Sequence, residues 1–180
     1  MPCLAISSGH TYTGCKDNIS GIDEIIVTEY NNLDQTNALK FATTANVVTT
    51  LVLATGKQGW KYDLGKEMIN VSDNSTVSAE SDTVFYTPQI TFTTKGFTTL
   101  TKVNLDTLSR HRLLIFVKRR NGTWWLAGLD GGMDATTIEN PFGQKYEDFS
   151  GHIANFSGKS ESPMIEVNAS LITALLSPAL

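Results

Sequence analysis

Two β-rich runs, Leu113–Arg120 and Thr123–Gly128, are separated only by Asn121-Gly122. An Asn-Gly pair between such runs is a strong hairpin signal, because a type I′ turn needs positive φ at both central positions. The pair therefore commits the middle of the chain to two adjacent antiparallel strands. The first strand opens on Leu113–Val117, the longest unbroken apolar run in the sequence at five residues. That is far short of the ~20 residues of a membrane span, and no membrane partner is expected.

Composition pushes the rest of the chain the same way. Among 180 residues there are 23 Thr and 14 Ser, while charged residues reach only 18%. Threonine is β-branched and fits a pleated, half-buried surface. Strands are read at Ile22–Tyr30, Leu39–Ala54, Trp60–Leu64, Met68–Ser72, Thr76–Thr94, Met133–Glu139 and Phe149–Phe156. Turn clusters at Asn31-Asn32, Gly56–Gly59, Asp73–Ser75, Asp130–Gly132 and Asn140–Gln144 divide them. Pro88 lies inside the longest of these stretches and removes a ladder donor, which predicts an edge strand or a bulge there. One internal helix is predicted over Leu105–Leu113, capped by Asn104 or Asp106, with Leu105, Leu108 and Arg112 on one face. The tail from Ile165 to Leu176 reads as a strand entering a short helix. The expected fold is mainly β: an antiparallel β-sandwich or barrel with one short flanking α-helix. Residues 1–21 form an N-terminal arm and 22–180 a single domain.

The net charge of -4 hides an uneven distribution. Residues 1–99 carry -4, residues 100–120 carry +5 and residues 121–180 carry -5. The basic block is Lys102, Arg110, Arg112, Lys118, Arg119 and Arg120. An acidic whole argues against wrapping nucleic acid on a basic face. The readings open for this block are a solvated surface, which is common for Arg119 and Arg120 beside a hairpin turn, pairing with acids of a second copy, or contact with nucleic-acid phosphate.

Motifs for catalysis are missing: there is no Gly-x-Ser-x-Gly, P-loop, Gly-x-Gly-x-x-Gly or His-Glu-x-x-His. His10, His111 and His152 lie in separate segments. Asp23-Glu24 and Glu147-Asp148 are adjacent pairs, and neighbours on a strand face opposite ways, so neither pair is expected to share a substrate. No enzyme and no cofactor are expected. Cys3, His10 and Cys15 are read as two reduced thiols and a histidine, with a disulfide or a metal site as alternatives. The first residues lack the basic and apolar regions of a secretory signal, so the five Asn-x-Ser/Thr sites carry no expected glycan. Trp124 and Trp125 point to opposite faces of their strand, one toward the core; the other packs within the same chain or meets a helix or a neighbouring subunit.

The order of elements in the second half is similar to that of a known family. A strand leads to the helix at Leu105–Arg112, then a strand, the Asn121-Gly122 turn and a strand ending in Gly128–Gly132. A loop with Tyr146–Asp148 follows, and then Ser150–Gly158. This resembles the phage tail tube proteins and their relatives in neck and injection-system tubes, over roughly residues 76–160. The resemblance implies a helix packed on a β-sandwich or barrel and hexameric rings of identical copies. Those rings stack into a tube, intersubunit strands close an acidic bore, and DNA passes without specific binding. It implies a virion protein assembled in the host cytoplasm. The candidate subunit interface is Val84, Phe85, Tyr86, Arg119, Arg120 and Trp125, with Thr76–Thr94 as an intersubunit hairpin or ring contact. Connector, tail terminator or capsid decoration protein are the alternatives within a virion. A β-sandwich that binds carbohydrate or another ligand on Trp60, Tyr62, Trp124 or Trp125 is the alternative outside it.

Overall fold

The computed structural model describes residues 9, 20–34, 36, 41–62, 64–65 and 67–176. Expectations on Cys3, His10 and Cys15, and on most of the N-terminal arm, fall outside the described residues. The chain is mainly β, with two sheets and two helices in a sandwich-like arrangement. Its strands are β1 (Ile22–Glu29), β2 (Phe41–Thr44), β3 (Val47–Leu51), β4 (Trp60–Tyr62), β5 (Ile69–Ser78), β6 (Thr83–Lys95), β7 (Leu113–Arg119), β8 (Trp124–Ala127), β9 (Asp134–Glu139), β10 (Gly151–Ser157) and β11 (Ile165–Val167). Helix α1 (Thr99–Ser109) joins β6 to β7, and α2 (Ala169–Leu176) follows β11. No helix among the described residues is long and apolar enough to cross a membrane.

Strands β2-β3-β11-β8-β7-β1-β4 form the larger sheet, and β5-β6-β10-β9 the smaller. Strand β7 explains the layering. Leu113, Leu114, Ile115, Phe116 and Val117 are all buried, so both faces of this strand are covered. Leu113, Ile115 and Val117 join Ile25 and Val27 against Ile90, Phe92, Ala154 and Phe156 of the smaller sheet. Leu114 and Phe116 join Ile26, Trp124, Leu126 and Val48 beneath Ile172 and Leu175 of α2. The strand is thus apolar without alternation because one face meets a sheet and the other a helix. Asn168 starts α2 by accepting from the Ser170 amide through Oδ1 at 3.0 Å.

Several boundaries differ from those read in the sequence, each for a physical reason. Helix α1 begins at Thr99, because Thr98 Oγ1 accepts from the Thr101 amide at 3.1 Å. Asn104 and Asp106 therefore lie inside the helix, and Arg112 lies beyond it. Asp106 binds Arg110 one turn on, at 3.1 Å, instead of capping. The Asn121-Gly122 hairpin forms, but its turn is not type I′. Only Gly122 has positive φ (88°), and its amide bonds Arg119 O at 2.9 Å. That is a type I turn over Arg120-Asn121 followed by a glycine bulge.

The stretch Leu39–Ala54 is not one strand. Ala45 and Asn46 both adopt positive φ and fold its described part into the β2–β3 hairpin. Asp73–Ser75 is not a turn but the middle of β5, and the chain reverses instead at Ala79–Asp82. Thr76–Thr94 is accordingly two antiparallel strands. Pro88 is neither at an edge nor in a bulge: β6 lies between β5 and β10. Its missing N–H costs nothing there, since β10 has ended at the Ser157–Gln89 pair and only the Pro88 carbonyl is used, by Gly158 N. Finally, the sheets are not wholly antiparallel, because β11 runs parallel to β3.

Candidate functional site

The hairpin of β5 and β6 pairs continuously from Ile69–Phe92 to Ser78–Thr83. Its base is part of the sandwich: Ile90 and Phe92 are buried, and β10 pairs with β6 from Gln89 to Lys95. Beyond that point only Ser160 continues the ladder, exchanging two backbone bonds with Tyr86 at 2.8 and 2.9 Å. Asp73 Oδ2 also accepts from the Met164 amide at 2.7 Å. From Ser75 to Phe85 the two strands leave the body as an arm. Val77 and Val84 face each other across it, 71% and 51% exposed. An apolar cross-strand pair held in water at the end of a two-stranded ribbon is a feature that proteins ordinarily avoid. The turn is drawn tight by Ser81 Oγ, 2.8 Å from both Ser78 Oγ and Thr83 Oγ1. Glu80 and Asp82 give the tip its charge, and neither makes an ion pair among the described residues.

The interface residues expected from the sequence fall into two groups. Val84, Phe85 and Tyr86 lie together on β6, with Lys159 Nζ 5.5 Å from the Phe85 ring centre. Arg119, Arg120 and Trp125 lie apart from them on the β7–β8 hairpin. Arg120 Nε donates to Asp23 Oδ1 at 3.2 Å, and its amide to Gly21 O. Lys118 reaches Glu24 at 3.4 Å, and Arg112 lies 4.0 Å from Asp134. Much of the basic block is therefore matched by acids of the same chain. Exposed pairs of this kind contribute only ~0–1 kcal/mol each. Lys102 and Arg119 make no ion pair among the described residues.

Of the four aromatic residues considered as binding platforms, three are taken up by packing. Trp124 is buried, Trp125 is half-buried with its Nε1 donating to Thr123 Oγ1, and Tyr62 leans on Phe92. Burial raises the Tyr62 hydroxyl above its ordinary pKa. Trp60 is 64% exposed and lines a groove of about 640 Å³ between β4 and α1. Leu64, Leu108, Thr101, Asn104, Lys61 and Lys95 line it too. A second groove, about 690 Å³, lies between the β2–β3 hairpin, β8 and the loop before β11.

One buried polar group lies at the α1 end of the core. His152 is 1% exposed, with its ring 4.3 Å from that of Phe97. Its Nδ1 pairs with Asn140 Oδ1 at 2.5 Å. Its Nε2, and Thr94 Oγ1 on the opposite strand, have no partner among the described residues. Desolvation and then the Lys102 charge hold the imidazole below its usual pKa, which keeps it neutral. The described residues hold no group of three or more His, Cys, Asp or Glu placed to bind a metal ion.

The sequence signal for the arm is the polar run Glu80-Ser81-Asp82, weaker in turn-forming residues than Asp73-Asn74-Ser75. Comparison with models of known families, with curated proteins and with solved structures found no match.

Proposed function

We propose that this chain is a non-enzymatic virion structural subunit, a tail tube protein that assembles with copies of itself into stacked rings. The observation that carries the reading is the β5–β6 arm, a two-stranded ribbon whose exposed Val77–Val84 pair finds no apolar cover in the monomer. Such a surface is a liability in an isolated domain and an asset in one that pairs with itself. The position of β5 supports it, because this ten-residue strand is the last of its sheet among the described residues.

The test is the mass of the purified chain in solution across a wide concentration range. Assembly gives ring-sized or larger particles; a species that stays at 19.6 kDa throughout refutes it. Connector, terminator and decoration roles give closed rings or oligomers that do not stack. A second reading, a carbohydrate-binding sandwich, is favoured by one observation, the exposed Trp60 indole beside Thr101 and Asn104. It requires a saturable change of tryptophan fluorescence with a glycan, and a flat response across a broad panel removes it.

A further inference from the structure

We propose that the tip of the β5–β6 arm of one copy seats in the groove between β4 and α1 of the next, joining copies head to tail. The inference rests on the assembly reading above and adds the receiving surface. The tip offers an apolar pair, Val77 and Val84, followed by the carboxylates Glu80 and Asp82. Its receptor needs apolar walls and an unpaired cation. The groove beside β8 has the apolar walls, but its charged lining among the described residues is Asp130 and Glu166, of the same sign as the tip. The hollow between α1 and β9 is smaller, about 310 Å³, and its lining includes both Lys102 and Asp106.

The β4–α1 groove satisfies both needs. Trp60, Leu64 and Leu108 supply the walls. Its charged residues among those described are Glu29, Lys61 and Lys95. Glu29 lies 3.8 Å from His111, and Lys61 is held by Glu24 at 3.4 Å. Lys95 makes no ion pair among the described residues.

Placement gives the contact a direction. The tip and Lys95 lie at opposite ends of β6, which has 13 residues. At ~3.3 Å per residue the two ends are about 40 Å apart. A contact between different patches at opposite ends of one strand is heterologous, and it runs on as an open chain, as stacking requires, when the rotation between copies does not close. Continued copy after copy, it repeats at no more than about 40 Å, the span from tip to groove along β6. The alternative, tip against tip, brings the four carboxylates of two copies together and is repulsive.

Two experiments on the full chain test this. In a Cys3→Ser, Cys15→Ser background, Val77→Cys combined with Trp60→Cys is oxidised and run on a non-reducing gel. The expected result is a ladder of dimers, trimers and higher multimers, whereas either single cysteine stops at dimers. A combined variant that yields no more than the singles overturns the proposal. Separately, Glu80→Lys and Lys95→Glu each cut the sedimenting polymer at least tenfold, and their combination restores it. Singles that polymerise like the parent, or a combination that fails to recover, overturn it. Wild-type protein that stays monomeric refutes assembly itself. Wild-type protein that assembles while these variants behave like it refutes only the tip-to-groove contact. A glycan that shifts Trp60 fluorescence, with no ladder from the cysteine pair, assigns the groove to a ligand and overturns the proposal as well.

Discussion

Replacing Phe92 by alanine probes the joint from which the arm grows. Phe92 is 1% exposed, on the face of β6 that meets the larger sheet. Its ring stacks on Phe156 at 5.3 Å and leans on Tyr62 at 5.9 Å. The residue opposite on β10 is Ala154, too small to fill the space. Truncating a buried Phe costs ~3–5 kcal/mol, and loss of two ring contacts with no collapse places this site in the upper part of that range. For a domain of this size each kcal/mol moves the melting temperature by ~2–4 °C, so the expected drop is about 8–20 °C. Phe92→Leu keeps most of the volume and is expected to cost under ~1.5 kcal/mol. Val77→Ala, at the exposed tip, is expected to stay within ~0.5 kcal/mol of wild type. Circular dichroism melts at one fixed protein concentration read all three. A drop below ~3 °C for Phe92→Ala, or an equal drop for Val77→Ala, refutes the division of the hairpin into buried base and free tip.

Further outcomes follow from the same contacts. Leu175→Ala uncovers Ile26, Leu114 and Phe116 and is expected to cost ~2–5 kcal/mol in chemical denaturation. Gly122→Ala meets no atom within 4 Å but holds φ at 88°, so only the backbone strain of ~1–2 kcal/mol is expected. Because the His152 pKa is lowered on folding, the unfolded chain takes up the proton first as the pH falls. Its contribution is therefore fully present above the ordinary value of ~6.5 and lost as the pH drops below it. Denaturation at stepped pH reads this loss, and His152→Gln flattens it; a wild-type profile unchanged through that window contradicts the buried neutral ring. Arg120→Ala breaks only the partly exposed pair with Asp23 and is expected to change stability by less than ~1 kcal/mol.

The β class, the Asn121-Gly122 hairpin and the final strand and helix were legible because each rests on local chemistry. Threonine-rich runs, a glycine able to take positive φ and an apolar pair three residues apart act over a few residues. The larger sheet's two covered faces were visible only as the unbroken run Leu113–Val117. That run says both faces are buried without saying what buries them. The reversals at Ala45-Asn46 and Ala79–Asp82 escaped because neither contains glycine or proline. Strand pairing on either side fixes where each reversal falls, and it keeps the turn-like Asp73-Asn74-Ser75 extended against Tyr86–Pro88. Of the residues expected at an interface, Val84 and Phe85 lie on the arm and Tyr86 at its base, through the β character of their stretch. The groove lined by Trp60, Leu108 and Lys95 joins three distant segments, and no spacing along the chain records that meeting.

Electron microscopy of the purified chain tests the central claim most directly. Head-to-tail seating of the arm between stacked rings predicts tubes whose axial repeat is at most about 40 Å, the length of β6. Isolated monomers, or closed rings that never stack at any concentration, would contradict it.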